Sequence, residues 1–326
     1  MPKFKVYISD YDYLDLDIER SVLEPIGAEV IGLKCSTGEE LGELAADADA
    51  ILQQYAKIDR NTIEQLKNCK VICRYGTGMD ILDVQACYDN GIQVTNVPDY
   101  CIEEVADHSI AMGFMLLRRI PMYYRATHRG EWHWSASGGS TFRFRNSIWG
   151  LIGFGRIAQN IARKLQVFGF EVLAYDPYLS KGYIATHGVR KVELDELFSS
   201  ANVVNVMCPY TPETHHIVNE AAFNRMKKEA VLVNCSRGKC VDNKALYDAL
   251  LEGEIASAGL DDTEEEPAKQ KAWTPGMNPL FTLENCFITP HSAYVSEQSL
   301  VECRYVASEN ARAVLLGQRP LDPILP

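Results

Sequence analysis

Ser147-Ile148-Trp149-Gly150-Leu151-Ile152-Gly153-Phe154-Gly155-Arg156-Ile157-Ala158 is the stretch on which the fold turns. A short apolar run ends at a glycine, and a helical pattern over residues 159–167 opens directly behind it. Strand, glycine turn and helix in that order form the phosphate-binding entry of a dinucleotide domain. Gly153 permits the tight turn, Gly155 lets the backbone approach a pyrophosphate, and Ala158 is small enough for close helix packing. Arg156 and Ile157 open the helix, whose free N-terminal amides face the anion. Asp176 closes the next expected strand, 172–175, where a carboxylate can accept bonds from an adenosine ribose. Its charge repels a 2′-phosphate, and no arginine stands beside it in Tyr175-Asp176-Pro177-Tyr178, so NAD is expected over NADP. An aspartate before Pro177 equally suits a turn cap, and that alternative stays open.

Outward from this motif the chain keeps the rhythm of short apolar strands and helical stretches. Strands are expected at 5–9, 29–32, 50–53, 71–74 and 93–96, with helices over 14–23 and 60–67. After Pro98 a long helix over 102–120 carries Val105, Ile110, Phe114 and Leu117 on one face. Between residues 127 and 146 the pattern dissolves around Trp132, His133 and Trp134, either as an extended surface arm or as an ordinary loop that packs its indoles. Strands resume at 147–152, 172–175, 203–207, 231–234, 256–261 and 287–289, and a last helix, 296–316, is expected to return to the first domain. The fold class is therefore α/β, with two doubly wound parallel-sheet domains in succession.

Composition narrows the function. At 326 residues and 47% hydrophobic, the chain has the bulk for about two cores. No apolar run approaches the ~20 residues that cross a bilayer, so no membrane partner is expected. The N-terminus turns acidic before any apolar stretch develops, which argues against a secretory signal and for the cytoplasm. Ten cysteines scattered through apolar segments read as reduced, mostly buried thiols. Cys69 and Cys73 have no second ligand pair, so no metal is expected. A net charge of −12 repels phosphate backbones and speaks against nucleic acid.

Three later segments each follow an expected strand: Asn234-Cys235-Ser236-Arg237-Gly238, then Asp261 to Glu266-Pro267, then Thr289-Pro290-His291. Loops at the carboxyl ends of parallel strands line the ligand crevice of a doubly wound sheet. Reduction of a 2-oxo acid needs what these loops carry. Arg237 can grip a carboxylate in a bidentate pair and polarise the neighbouring carbonyl, and a protonated His291 can deliver a proton as hydride reaches C2. Glu266, if paired to His291, would keep it protonated. Taken singly, each is as well explained as a surface arginine, one glutamate of an acidic run and a core histidine.

The order Gly153-x-Gly155, Asp176, Asn234-x-Ser236-Arg237-Gly238, Val241-Asp242, Glu266-Pro267, Pro290-His291 resembles the D-isomer-specific 2-hydroxyacid dehydrogenases across essentially the whole chain. The resemblance implies a Rossmann NAD-binding domain, residues 101–291, inserted into a flavodoxin-like substrate domain made of 1–100 and 292–326, and a homodimer. It makes Arg237 the substrate-binding arginine, Glu266 the partner of the histidine, His291 the proton donor, and Asp261 the neighbour of the nicotinamide carboxamide. Cys208, Pro209, Thr214 and Cys235, at and after the ends of the following strands, complete the implied cofactor set. Tyr75, Gly76, Thr77 and Gly78 resemble the glycine loop whose amides hold the substrate carboxylate. Gln53 and Tyr55 lie in a stretch similar to the first substrate loop, and Gln53 stands where phosphoglycerate enzymes place an arginine. Tyr294 is either an aromatic wall beside the substrate, favouring an apolar side chain, or packing for the last helix.

In its motifs the chain is most similar to C-terminal-binding-protein-like and D-lactate dehydrogenase-like members. Three activities follow as alternatives: an NAD-dependent oxidoreductase acting on a small 2-oxo or 2-hydroxy acid, an NAD(H)-sensing interaction protein, and a phosphoglycerate- or glyoxylate-type reductase. At Asp262, where the family commonly has an apolar residue, the acidic side chain must find solvent or a partner.

Overall fold

Runs such as Ala50-Ile51-Leu52-Gln53 and Val203-Val204-Asn205-Val206 are buried at every position. Such strands are covered on both faces, as in parallel sheets with helices on either side. The computed structural model describes residues 2–35, 37–267 and 272–325. It divides into unit 1, Met1–Cys101 with Val295–Pro326, and unit 2, Ile102–Tyr294.

The chain begins with β1 (Phe4–Ile8), α1 (Asp17–Leu23), β2 (Ala28–Gly32), α2 (Gly38–Leu44), β3 (Ala50–Gln53), α3 (Arg60–Ile63), β4 (Val71–Arg74), α4 (Val84–Asp89) and β5 (Gln93–Thr95). Unit 2 opens with α5 (Ile102–Leu117) and α6 (Ile120–His128), then β6 (Ile148–Ile152), α7 (Arg156–Val167), β7 (Glu171–Tyr175), α8 (Lys181–Thr186), β8 (Arg190–Lys191) and α9 (Leu194–Ser200). It continues with β9 (Val203–Val206), α10 (Glu220–Phe223), β10 (Val231–Asn234), α11 (Asn243–Glu252), β11 (Ser257–Leu260) and β12 (Cys286–Ile288). The chain ends back in unit 1 with α12 (Glu297–Leu315) and β13 (Pro323–Ile324).

Unit 1 holds a six-stranded sheet in the order β13-β5-β4-β3-β1-β2. Its five parallel strands follow the flavodoxin-like order, and β13 adds an antiparallel edge with Pro323 opposite Thr95. Unit 2 holds a seven-stranded sheet, β12-β11-β10-β9-β6-β7-β8. Six of its strands run in the Rossmann order, and the order reverses between β6 and β9, where such sheets bind their ligands. The expected fold class of two doubly wound parallel sheets is the observed one.

α12 closes unit 1 by burying Cys303, Ala307, Ala311 and Leu315 in the same cluster as Val71 and Cys73 of β4. Ser296 starts it with a reciprocal capping box to Ser299, which satisfies two otherwise free amides. Beneath it Arg304 forks onto buried Glu19, Nε to Oε1 at 2.8 Å and Nη2 to Oε2 at 2.7 Å, and Tyr75 donates its hydroxyl to the same Oε1 at 3.0 Å.

Several expectations change. The boundaries expected after residues 100 and 291 fall after Cys101 and Tyr294. Residues 292–294 stay with unit 2 because Asp261 accepts the N–H groups of Ser292 at 2.9 Å and Ala293 at 2.8 Å. The helix expected over 102–120 stops at Leu117, and Arg119 turns left-handed, with φ 54°, before α6 begins at Ile120 with Pro121 in its first turn. Proline lacks the N–H and blocks continuation of the preceding turn. The indoles of the 127–146 stretch do not pack: Trp132 and Trp134 are 89% and 78% exposed. The helix expected over 60–67 is a single turn, α3. Among the described residues no helix is long and apolar enough to cross a membrane.

Candidate active site

The cofactor cradle forms where β6 meets α7. Gly153 sits at φ +90°, and a Cβ on it would stand 2.9 Å from the Met207 carbonyl oxygen, so only glycine makes this turn. Around Gly155, by contrast, a Cβ would meet open space, and no side chain caps the amides that open α7. An uncapped helix start facing free room is what a pyrophosphate requires, and these residues fit the dinucleotide. Arg156 and Ile157 begin that helix, one exposed and one half-buried.

Asp176 is tied to the backbone on two sides. Its Oδ1 accepts from the N–H groups of Tyr178 at 2.9 Å and Leu179 at 3.1 Å, and its Oδ2 accepts from Phe154 N at 3.0 Å. The turn-cap alternative is therefore real, and the same carboxylate ties the glycine turn to β7. Lone pairs remain on both oxygens for further donors. Pro177 follows it at the surface. Thr214 Oγ1 donates to the Pro209 carbonyl at 2.7 Å and closes that loop. Cys208 and Cys235 are buried, and burial pushes the Cys235 thiol up to about 12, so what these two positions offer a ligand is backbone.

The second group hangs on β10, β11 and β12. These strands lie side by side, with Asn234 opposite Leu260 and Leu260 opposite Ile288. The loops after them thus leave one edge of the sheet at the ~4.8 Å spacing of neighbouring strands. Buried Asn234 folds the first loop: its Oδ1 accepts from Ser236 N at 3.0 Å and Oγ at 2.9 Å, and its Nδ2 donates to the Arg237 carbonyl at 2.9 Å. Gly238 then presses on the second loop so closely that a Cβ would stand 2.1 Å from the Thr263 carbonyl carbon. Arg237 is half-buried between these fixed points, Nη1 at 3.0 Å from the Ser236 carbonyl oxygen.

Asp261 holds the third loop. It is 3% exposed, and besides the Ser292 and Ala293 amides it accepts the Thr289 hydroxyl at 2.6 Å. Asp261 thus clamps the histidine's loop. His108, which the sequence reading missed, braces the same corner with Nε2 3.1 Å from Thr289 Oγ1. His291 itself adopts φ 53°, its N–H held by the Asp261 carbonyl at 2.8 Å. A non-glycine residue in this region costs roughly 1–3 kcal/mol, and such strain collects at functional positions. Glu266 shares that conformation, at φ 50°.

The carboxylate at His291 is a different one from that expected. Glu266 Oε2 lies 2.8 Å from Lys239 Nζ, whereas Asp262 Oδ2 lies 3.3 Å from His291 Nδ1. The Tyr294 ring stands edge-on to the imidazole, with centroids 6.2 Å apart. A cavity of about 310 Å³ adjoins His291 and Asp262, walled by Pro267, Trp273, Phe281 and Ile288.

In unit 1 the loop after β4 carries Tyr75, Gly76, Thr77 and Gly78. Tyr75 is buried with its hydroxyl on Glu19 and its N–H on the Gln53 carbonyl at 2.8 Å, so it braces the loop from within. Among the described residues the backbone N–H groups of Gly76, Thr77 and Gly78 have no hydrogen-bond acceptor. Gln53 is fully buried and donates to the Ala56 carbonyl at 2.5 Å. It therefore shapes its loop from behind, contrary to the expected substrate contact. Tyr55 is half-buried, its N–H on Asp10 Oδ2 at 2.5 Å.

Residues 110–293 match the family described as D-isomer specific 2-hydroxyacid dehydrogenase, NAD binding domain. The chain is 38% identical over 301 residues to the D-3-phosphoglycerate dehydrogenase of Methanocaldococcus jannaschii, across 91% of this chain but only 55% of that protein. It is 34% identical over 281 residues to the glyoxylate reductase of Korarchaeum cryptofilum, across 85% of this chain and 83% of that one. The D-lactate dehydrogenase of Aquifex aeolicus, solved with NAD and lactic acid, superposes with a TM-score of 0.86 at 28% identity, covering 96% of each chain. Glycine cradle, strand-end loops and these likenesses agree: the chain belongs to the D-isomer-specific 2-hydroxyacid dehydrogenases and carries their NAD-binding domain.

Proposed function

We propose that this chain transfers a hydride between NAD(H) and C2 of a D-2-hydroxy acid and its 2-oxo acid, with an apolar side chain on the preferred substrate. The observation that carries the reading is the adjacency of β10, β11 and β12, which puts the loops of Arg237, Asp262 and His291 on one sheet edge in a family of dehydrogenases. Gly153, Gly155 and Asp176 would hold NADH, which would supply the hydride. Arg237 pairs with the substrate carboxylate and polarises the carbonyl. His291 holds a proton at Nε2 and gives it to the carbonyl oxygen as C2 is reduced; in the reverse direction it takes that proton back. Gly76, Thr77 and Gly78 offer their unengaged amides to a carboxylate. Tyr294, beside the imidazole, is the wall that favours an apolar substituent.

A phosphorylated substrate is the second reading, favoured by the 38% identity to a phosphoglycerate dehydrogenase. The buried, neutral Gln53 offers no cation to a phosphate. Pyruvate, 2-oxoisocaproate, phenylpyruvate, glyoxylate and 3-phosphohydroxypyruvate, each with NADH, decide between them. An aliphatic or aromatic 2-oxo acid should give the highest kcat/KM. Phosphohydroxypyruvate in first place would replace the substrate assignment, and turnover of none would remove the activity.

A homodimer is proposed on α6 and the exposed arm after it, where Ile120, Tyr124, Trp132 and Trp134 present apolar surface that a second copy would cover. Sedimentation of the Trp132→Ser, Trp134→Ser double variant as a monomer, against a dimeric parent, is the expected result. The cytoplasm is the proposed compartment, in keeping with cysteines that remain thiols.

A further inference from the structure

We infer that Asp262, in the position where relatives commonly carry an apolar residue, is the carboxylate that orients His291, displacing Glu266 from that role. The inference rests on the proposed function for its kinetic arm only. Asp262 is 6% exposed, and its Oδ1 is held by Thr263 N at 2.9 Å. That bond fixes the carboxylate plane. Its Oδ2 is buried and has no aligned hydrogen-bond donor, yet lies 3.3 Å from His291 Nδ1. A buried carboxylate oxygen left without a donor is costly, and the imidazole supplies the one that is within reach. Distance is already that of a contact; alignment needs a small rotation of the ring, whose second torsion is broad. Glu266 meanwhile points its Oε2 at Lys239 Nζ, 2.8 Å away, from a left-handed backbone.

With Nδ1–H donated to Asp262, the imidazole is locked in one tautomer and one orientation, and Nε2 is left for the substrate. Asp262 is thus a positioning residue, acting through the ring of His291. The acidic side chain that looked out of place in the sequence finds its partner here. Backbone geometry supports the arrangement from the other side, because the His291 N–H is bound by the Asp261 carbonyl, so consecutive residues fix the main chain and the ring of the same histidine.

The test uses the full chain labelled with ¹⁵N-histidine, the His291 ring signals being assigned by their absence in His291→Asn. A protected Nδ1–H correlation is expected in the parent and in Glu266→Gln, lost in Asp262→Ala, and retained in Asp262→Asn, which keeps an acceptor oxygen. With the best 2-oxo acid, Asp262→Ala should lower kcat on the order of 10²-fold while KM for NADH holds, and Asp262→Asn should recover part of the rate. If Asp262→Ala fails to fold, Asp262→Val, with apolar bulk at this position, carries the same readings. Persistence of the correlation in Asp262→Ala or Asp262→Val, which leave no acceptor oxygen, or its loss in Glu266→Gln, overturns the inference. The ring signal is read without substrate, so a protein that turns over no 2-oxo acid but shows the Asp262-dependent correlation would lose the activity and keep the pair.

Discussion

Arg237 stands on a loop that Asn234 folds and Gly238 wedges, so its guanidinium can be removed without loosening what holds the cofactor. Arg237→Ala is expected to lower kcat/KM for a 2-oxo acid roughly 10²- to 10³-fold, the usual cost of one charge-stabilising donor, with the NADH dissociation constant from fluorescence titration unchanged. Equal loss of substrate and NADH would make Arg237 structural. At Asp176 the expectation is a change in choice: Asp176→Ser should narrow the preference for NADH over NADPH, read as the ratio of kcat/KM. Because that carboxylate also binds Phe154 N, NADH itself should bind more weakly in the variant. No change in the ratio would leave Asp176 as a cap alone. The glycine cradle and Asp176 were legible because their chemistry is local, set by spacing along one strand–turn–helix unit. The exchange of partners among Asp262, Glu266, Lys239 and His291 was not. It depends on how a loop after β11 returns past a loop after β12, and three acidic residues in a row leave several pairings open.

Among the elements, strands of continuous apolar residues were readable, since burial on both faces leaves no room for other patterns. Two-residue β8 and one-turn α3 carry too few residues for a period to show. The break before α6 was signalled by Pro121, and the helical reading over 102–120 ran past it. The return of α12 was readable as a helix, but not its charge. Arg304 is 8% exposed and neutralises a fully buried Glu19, a pairing of residues far apart in the chain. Arg304→Met should strand that carboxylate and lower the unfolding free energy by about 3–5 kcal/mol, measured by urea denaturation. The double variant Glu19→Met, Arg304→Met should recover much of the loss, because no lone charge is left. Equal stability of the single variant and the parent would show that water reaches Glu19.

The core of each unit also carries thiols, which gives the molecule a dependence on alkali. Burial pushes the thiols of Cys73, Cys87 and Cys235 up to about 12. In an unfolded chain a thiol ionises near 8.5. Below that pH both states hold the proton and the folded state keeps its full advantage. Between about 9 and 12 only the unfolded chain releases it, so stability falls as pH rises, by up to about 1.4 kcal/mol per pH unit for each thiol. Urea midpoints should therefore drop from pH 8 to pH 10, and less steeply in a Cys73→Ala, Cys235→Ala variant; parallel curves would locate the alkaline loss elsewhere. The discontinuity of unit 1 has a consequence for synthesis. Unit 2 is one uninterrupted segment, Ile102–Tyr294, whereas the sheet begun by β1 waits for α12 and β13. On the ribosome the first hundred residues must wait with Glu19 buried and unneutralised, or not yet buried at all, while a whole later domain emerges and folds. The part made first is finished last. A nascent chain arrested with residue 296 just outside the exit tunnel should yield a protease-resistant 102–294 core and a digestible N-terminal segment, and equal resistance of the two would show that unit 1 closes without its final helix.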